Sequence, residues 1–88
     1  MKVEFLSKFV TDLDKLNVVY VKSSVIRTIE LVESVNNLSE IPKLKKLKGH
    51  KSAFRIKIGD YRIGIFVKGR VIEMARVVHR KDIYKVFP

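Results

Sequence analysis

The hydrophobic period of this chain changes twice. Met1 to Leu6 alternates, with Val3 and Phe5 on one side and Lys2 and Glu4 on the other, which predicts a short first strand. From Ser7 the period lengthens. Ser7 is an N-cap residue type, Phe9, Val10, Leu13 and Leu16 follow at helical spacing, and Asn17 is a stop signal. A second helix is expected from about Tyr20 to Asn37. Val25, Ile29, Val32, Val35 and Leu38 line one side of it, and Arg27, Glu30 and Glu33 lie largely away. Two successive helices with one apolar stripe each predict an antiparallel helical hairpin whose stripes face a core.

Residues 39–53, SEIPKLKKLKGHKSA, read as a connector, because Pro42 and Gly49 interrupt any long helix. Leu44 and Leu47 are expected to pin it to the core. Lys43, Lys45, Lys46, Lys48 and Lys51 remain in solvent, as a plain solvated face or as a contact for a polyanion. The clearest pattern follows. Phe54-Arg55-Ile56-Lys57-Ile58 alternates, Gly59-Asp60 is a two-residue turn signal, and Tyr61 to Val67 resumes the alternation. Lys68-Gly69 is a second turn, and Val71 to Val78 a third strand. The last ten residues read as a short tail or one helical turn. The expected fold is α+β in a single domain over residues 1–88: an N-terminal strand, an antiparallel helical hairpin, then a three-strand antiparallel meander completing a twisted sheet, and a short C-terminal segment.

A two-residue hairpin fixes register. Ile58 should face Tyr61, Lys57 face Arg62, Ile56 face Ile63, and Arg55 face Gly64. Phe54, Ile56, Ile58, Tyr61, Ile63, Ile65, Ile72 and Met74 then share the core side under the helices. Arg55, Lys57, Arg62, Gly64, Glu73, Ala75 and Val77 collect on the other side, and unbroken parity carries His79 there too. Like charges at Lys57 and Arg62 would stand about 5 Å apart, which is unfavourable in a sheet. Glu73 could offset part of that by pairing with Arg55. Gly64 leaves a gap through which a ligand could approach the backbone. Long side chains can splay into water, but this many cations with Tyr84 nearby describe an anion site with a stacking surface for bases.

Charge sharpens the picture. The 88 residues hold 19 Lys and Arg against 9 Asp and Glu, a formal net charge of +10. Residues 1–42 carry five basic and six acidic side chains, net −1, and residues 43–88 carry fourteen basic and three acidic (Asp60, Glu73, Asp82), net +11. One half therefore attracts polyanions: nucleic acid, an anionic membrane or an acidic protein. With 47% hydrophobic residues the chain is too apolar for disorder, and zero Cys excludes disulfides, thiolate metal sites and a thiol nucleophile. No apolar run approaches a membrane span, and charges within MKVEFLSKF argue against a signal peptide, so a cytoplasmic protein is the default expectation.

The residues on the basic side suffice for metal-independent RNA cleavage. The 2′-OH attacks the adjacent phosphorus, leaving a cyclic phosphate and a free 5′-OH. The protein must take one proton, steady the phosphorane charge and give one proton. A His does acid or base work near neutrality, and a Lys crowded by arginines can act as a base. Arg62 and Arg55 would hold the phosphate. A surface that binds phosphate without turnover would look the same. Other chemistry has less support. Two His without Cys do not make a metal site, GHKSAF is not a Walker A loop, and no paired carboxylates or serine triad context is present. No cofactor is expected.

The run LKGHKSAFRIKIGDYRIGIF, followed by VVHRKDIYK, resembles the RelE/ParE superfamily of bacterial and archaeal toxin–antitoxin toxins, and most of all its RelE-type mRNA interferases. The resemblance spans nearly the whole chain. It implies a RelE-like fold, ribosome-dependent cleavage of mRNA in the A site, and inhibition by an antitoxin that wraps the toxin. By the same resemblance Arg55 and Lys57 match the two basic positions of the aromatic-x-I-x-I strand, with Lys57 as general base. Arg62 would stabilise the transition state, and Tyr84 would stack on or orient a base. The family's arginine general acid falls in register on Val78, and His79 or Arg80 beside it would take that role. The candidate site is thus Lys57, Arg62, His79, Arg80 and Tyr84 for chemistry, with Arg55, Lys46, Lys48 and Lys51 binding RNA and an acidic antitoxin as partner. The rival readings are a ParE-like toxin acting on DNA gyrase without nuclease chemistry, and a non-catalytic or degenerate nucleic-acid-binding member.

Overall fold

A computed structural model describes all of residues 1–88. Its elements are β1 (Lys2–Phe5), α1 (Ser7–Lys15), α2 (Val19–Ser34), a 3-10 turn (Leu38–Glu40), β2 (Leu44–Lys46), β3 (Ala53–Ile58), β4 (Tyr61–Lys68), β5 (Val71–His79) and α3 (Ile83–Val86). They form one five-stranded sheet in the order β1-β5-β4-β3-β2. β1 runs parallel to β5 and the remaining pairs are antiparallel; the α1–α2 hairpin carries the chain across the sheet from β1 at one edge to β2 at the other. No helix is long and apolar enough to cross a membrane.

The helices cover one side of the sheet as their stripes require. Phe9, Val21, Val25, Val32 and Val35 pack against Ile56, Ile63, Ile65, Ile72 and Met74. The turn at Gly59-Asp60 sets the expected register: Ile58 faces Tyr61, Lys57 faces Arg62, and Arg55 faces Gly64. Helix bounds differ from expectation in detail. Leu6, not Ser7, occupies the N-cap of α1, and it makes no side-chain cap bond. α2 ends at Ser34, because the Glu40 carboxylate accepts the N–H groups of Asn36 and Asn37 at 2.9 and 3.1 Å and turns the chain. The amino group of Met1 donates to the carbonyls of Val32, Glu33 and Val35, a favourable place for a cation at a helix C-terminus.

Three features depart from the expected meander. The first is β2. The connector holds a short strand that pairs Leu44 with Ile56, Lys45 with Arg55, and Lys46 with Phe54. Its lysines guard the sheet edge. The second is a β-bulge. Gly64 pairs with Arg76 but Ile65 pairs with Met74, so Ala75 is the extra residue. The bulge reverses parity along the rest of β5. Val77 turns into the helix-side core at 1% exposure, Val78 pairs with Arg62, and His79 pairs with Tyr61. The third is a second core on the far side, where Leu47, Ala53 and Ala75 pack with Ile83 and Phe87 of the C-terminal segment. The gap expected at Gly64 is filled by the Phe87 ring. A Cβ built on Gly64 would lie 2.6 Å from it. The second turn is Gly69-Arg70, one residue beyond the expected position, with Gly69 at a φ of 61°.

Beyond Phe5 the edge of β5 loses its strand partner, and α1 replaces it. Asp12 accepts from Arg76 Nε at 2.7 Å and Nη2 at 3.1 Å, and from the Val77 N–H at 3.1 Å. The hydrogen bond to Asp12 holds the Arg76 guanidinium above its ordinary pKa, against the opposing effect of burial. Asp12→Ala should therefore cost about 2–3 kcal/mol, since it strands a half-buried cation and a backbone donor. A urea titration checks this, and Asp12→Asn should recover part of the loss by still accepting from Val77. Gly64→Ala should destabilise by about 1–3 kcal/mol and free the C-terminal segment. The readout is faster chymotryptic cleavage after Tyr84; unchanged protection would mean that Phe87 does not anchor the segment.

Candidate nucleic-acid interface

Strand geometry places the basic residues. β3 and β4 alternate, and Phe54, Ile56, Ile58, Tyr61, Ile63 and Ile65 face the helices, so Arg55, Lys57 and Arg62 have to project on the other side. β2 adds Lys45 directly across from Arg55. No carboxylate lies within ion-pairing distance of Lys45, Arg55, Lys57 or Arg62; the five ion pairs of the chain are all elsewhere. Glu73, expected to offset Arg55, instead pairs with Lys68 at 3.5 Å.

Arg62 stands at the centre. Its guanidinium is held below its ordinary pKa, first by burial and then by the charges of Arg55 and Arg80, while Tyr84 and Asp60 act the other way. Those four neighbours are therefore within electrostatic reach of one guanidinium. Its Nη1 donates to the carbonyls of Gly59 at 2.8 Å and Tyr61 at 2.9 Å, which fixes the side chain against the β3–β4 turn and leaves Nη2 and Nε for a ligand. Arg80 is brought to the same turn. Its backbone N–H donates to the Asp60 carbonyl at 2.8 Å, and its guanidinium lies 3.8 Å from the Asp60 carboxylate.

The C-terminal segment supplies the aromatic group. Ile83 and Phe87, one helical turn apart, are buried in the second core, and Phe87 also packs on Phe66 with ring centroids 5.0 Å apart. Tyr84 consequently points outward at 65% exposure. It lines a cleft of about 460 Å³ together with Lys45, Lys46, Lys48, His50 and Arg55. Lys51 lies on the same loop, in an adjoining hollow of about 410 Å³ that it shares with Lys46 and Lys48.

Of the expected site residues, the structure brings Arg55, Lys57, Arg62, Arg80 and Tyr84 to one side, with Lys46 and Lys48 at its margin. It does not bring His79. The bulge at Ala75 turns that side chain to the helix side, where its ring meets Tyr61 edge-on at 5.4 Å and its Nδ1 accepts the Lys81 N–H at 3.1 Å. Lys45, which the sequence places in the lysine run without singling it out, and His50, read as a loop histidine, also line the cleft. A single Leu followed by two lysines is too short a pattern to reveal the strand that places Lys45. The arrangement can grip a phosphodiester from several directions and offer a ring beside it. No group of three or more His, Cys, Asp or Glu side chains is arranged to hold a metal.

Comparisons with known proteins agree with this architecture. The family model of the ParE toxin of type II toxin–antitoxin systems, parDE, matches residues 3–84. Toxin RelE3 of Methanocaldococcus jannaschii is 40% identical over 89 residues, covering 100% of both chains. A chain in the crystal structure of a RelB-RelE antitoxin-toxin complex from Methanococcus jannaschii superposes with a TM-score of 0.81 at 37% identity, over 97% of this chain and 99% of that one. A chain of the RelBE2 toxin-antitoxin complex from Mycobacterium tuberculosis shares the fold, with a TM-score of 0.68 at 24% identity over 90% and 96% of the two chains. A five-stranded sheet under a helical hairpin, a basic far side and similarity along the full length lead to one assignment: the chain belongs to the RelE/ParE superfamily, as a RelE-type toxin of a toxin–antitoxin system.

Proposed function

We propose that this toxin is a metal-independent endoribonuclease that cleaves mRNA in the ribosomal A site. The observation that carries the reading is the cluster around Arg62: three guanidiniums and a lysine on one side of the sheet, an exposed tyrosine beside them, and Asp60 as the one carboxylate at its edge. In this reading Lys57 takes the proton from the 2′-OH. Arg62 and Arg55 hold the non-bridging oxygens and steady the extra charge of the phosphorane, where fixed donors act most strongly. Arg80 donates the proton to the leaving 5′ oxygen. A departing alkoxide is basic enough to accept one from a guanidinium, and Arg80, unlike His79, shares the face with Arg62. Tyr84 stacks on a neighbouring base.

The partner in this reading is an acidic RelB-type antitoxin, since the relative from Methanococcus jannaschii was solved in complex with RelB and a half-chain carrying net +11 favours an acidic protein. Its action on translating ribosomes would be cytoplasmic. A second reading, a ParE-type toxin acting on DNA gyrase, is favoured by the family model over residues 3–84. A supercoiling assay with purified gyrase separates the two. The nuclease reading expects no inhibition, and inhibition that survives Lys57→Ala and Arg62→Ala would favour the second.

Arg62→Ala should lower cleavage of ribosome-bound mRNA about a hundredfold to a thousandfold, and Lys57→Ala by at least about a hundredfold. Both should restore growth to expressing cells with unchanged thermal melting; persistent toxicity of the double variant would reject the assignment. RNA affinity should also fall steeply with salt, with a slope of about −0.7 for each phosphate contacted on a single strand. A flat response would remove the basic face as the contact.

A further inference from the structure

Arg80 reaches the Arg62 face although its neighbour His79 is turned to the helix side, and the histidine builds the turn between them. His79 is the last residue of β5 and pairs with Tyr61 of β4. Its half-buried ring stands edge-on to the Tyr61 ring in a hollow of about 260 Å³. From there its Nδ1 accepts the Lys81 N–H at 3.1 Å, and its carbonyl accepts the Asp82 N–H at 2.8 Å. These two bonds close the backbone around Arg80, whose own N–H is tied to the Asp60 carbonyl. The Arg80 guanidinium has no comparable hold. It is more than half exposed and lies 3.8 Å from the Asp60 carboxylate. Its direction is therefore set by the backbone on either side, and one of the bonds that fix that backbone comes from an imidazole.

That bond depends on the state of the ring. Nδ1 accepts only while the imidazole is neutral with its proton on Nε2; once protonated, both nitrogens donate. Asp12 and Lys15 of α1, Tyr61 of β4 and Asp82 of the turn line the hollow with it. Asp12 is engaged by Arg76 and Asp82 by Lys85, and none of the five ion pairs includes the ring. We infer that His79 is a positioning residue for Arg80: its neutral Nδ1 locks the turn over residues 79–82 so that the guanidinium stands at the leaving 5′ oxygen. The inference rests on the ribonuclease reading, in which Arg80 gives that proton, and deepens it. His79 itself transfers no proton in the reaction. Protonation of its ring sets a donor against the Lys81 N–H, opens the turn and slows cleavage.

The test is single-turnover cleavage of mRNA on programmed ribosomes, with thermal melting of each variant. Arg80→Ala should be inert. His79→Ala should lower the rate at about pH 7.5 by about tenfold to a hundredfold, the cost of a misplaced reacting group, with half-saturation within about twofold. His79→Phe, which keeps a ring against Tyr61 but has no acceptor, should fall as far. His79→Asn should recover most of the rate, because its amide oxygen can accept the Lys81 N–H. The asparagine does not titrate, so the ratio of wild-type to His79→Asn rates should drop about fivefold to tenfold from about pH 7.5 to about pH 5.5. Lys57 is common to both proteins, and its titration cancels in that ratio. Nitrogen-15 NMR of the wild type at the higher pH should show a bare Nδ1 and a protonated Nε2, a readout that holds even where a variant fails to fold. A His79→Phe variant at full rate, a flat ratio or a proton on Nδ1, with Arg80→Ala inert, would overturn the positioning role alone. Wild-type cleavage by Arg80→Ala, or none by the wild type, would overturn the reading beneath it and the inference with it.

Discussion

Lys57 and Arg62 repel each other across two hydrogen-bonded strands, and the fold holds them there. The two-residue turn at Gly59-Asp60 leaves no freedom in register, so the same pairing that buries Ile56 against Ile63 sets the two cations side by side. The energies decide which effect wins. A like-charged cross-strand pair costs up to about 1 kcal/mol, whereas burying each of those isoleucines contributes about 1.5–3 kcal/mol. The core thus fixes the charges where a free choice would separate them. With no carboxylate between them, the repulsion stays available to be relieved by an anion.

The far side of the sheet is divided rather than bare. Phe87 sits on Gly64, and Ile83 is buried beside Ala75 and Ala53. Anchoring those two side chains one helical turn apart leaves Tyr84 facing the cations. The link from Arg80 to Asp60 ties the end of β5 to the turn that also holds Arg62. Residues that lie far apart in the chain thereby become neighbours around one guanidinium. Removal of the C-terminal anchor would scatter the site while leaving the main core between sheet and helices in place.

Much of this was legible in the sequence, for a physical reason in each case. Alternation and a two-residue turn predict register, so the partners of Arg55, Lys57 and Arg62 could be assigned in advance. Met74-Ala75-Arg76-Val77, by contrast, reads as unbroken alternation. Nothing local marks Ala75 as a bulge, and so His79 was expected on the wrong side. The bulge is matched by a contact distant in sequence, Asp12 to Arg76 and to the Val77 N–H. β2 is only three residues long, too short for a period to emerge. The ring over Gly64 was invisible because a glycine gap says that something approaches, and the occupant came from the chain's own tail.

Primer extension on mRNA from cells expressing the wild type or Arg62→Ala, the latter confirmed as folded, tests the central claim most directly. The account predicts discrete new 5′ ends within translated codons for the wild type and none for Arg62→Ala at equal protein levels. The same ends at the same intensity from both would contradict it, because the guanidinium at the centre of the basic face would then have no part in the reaction.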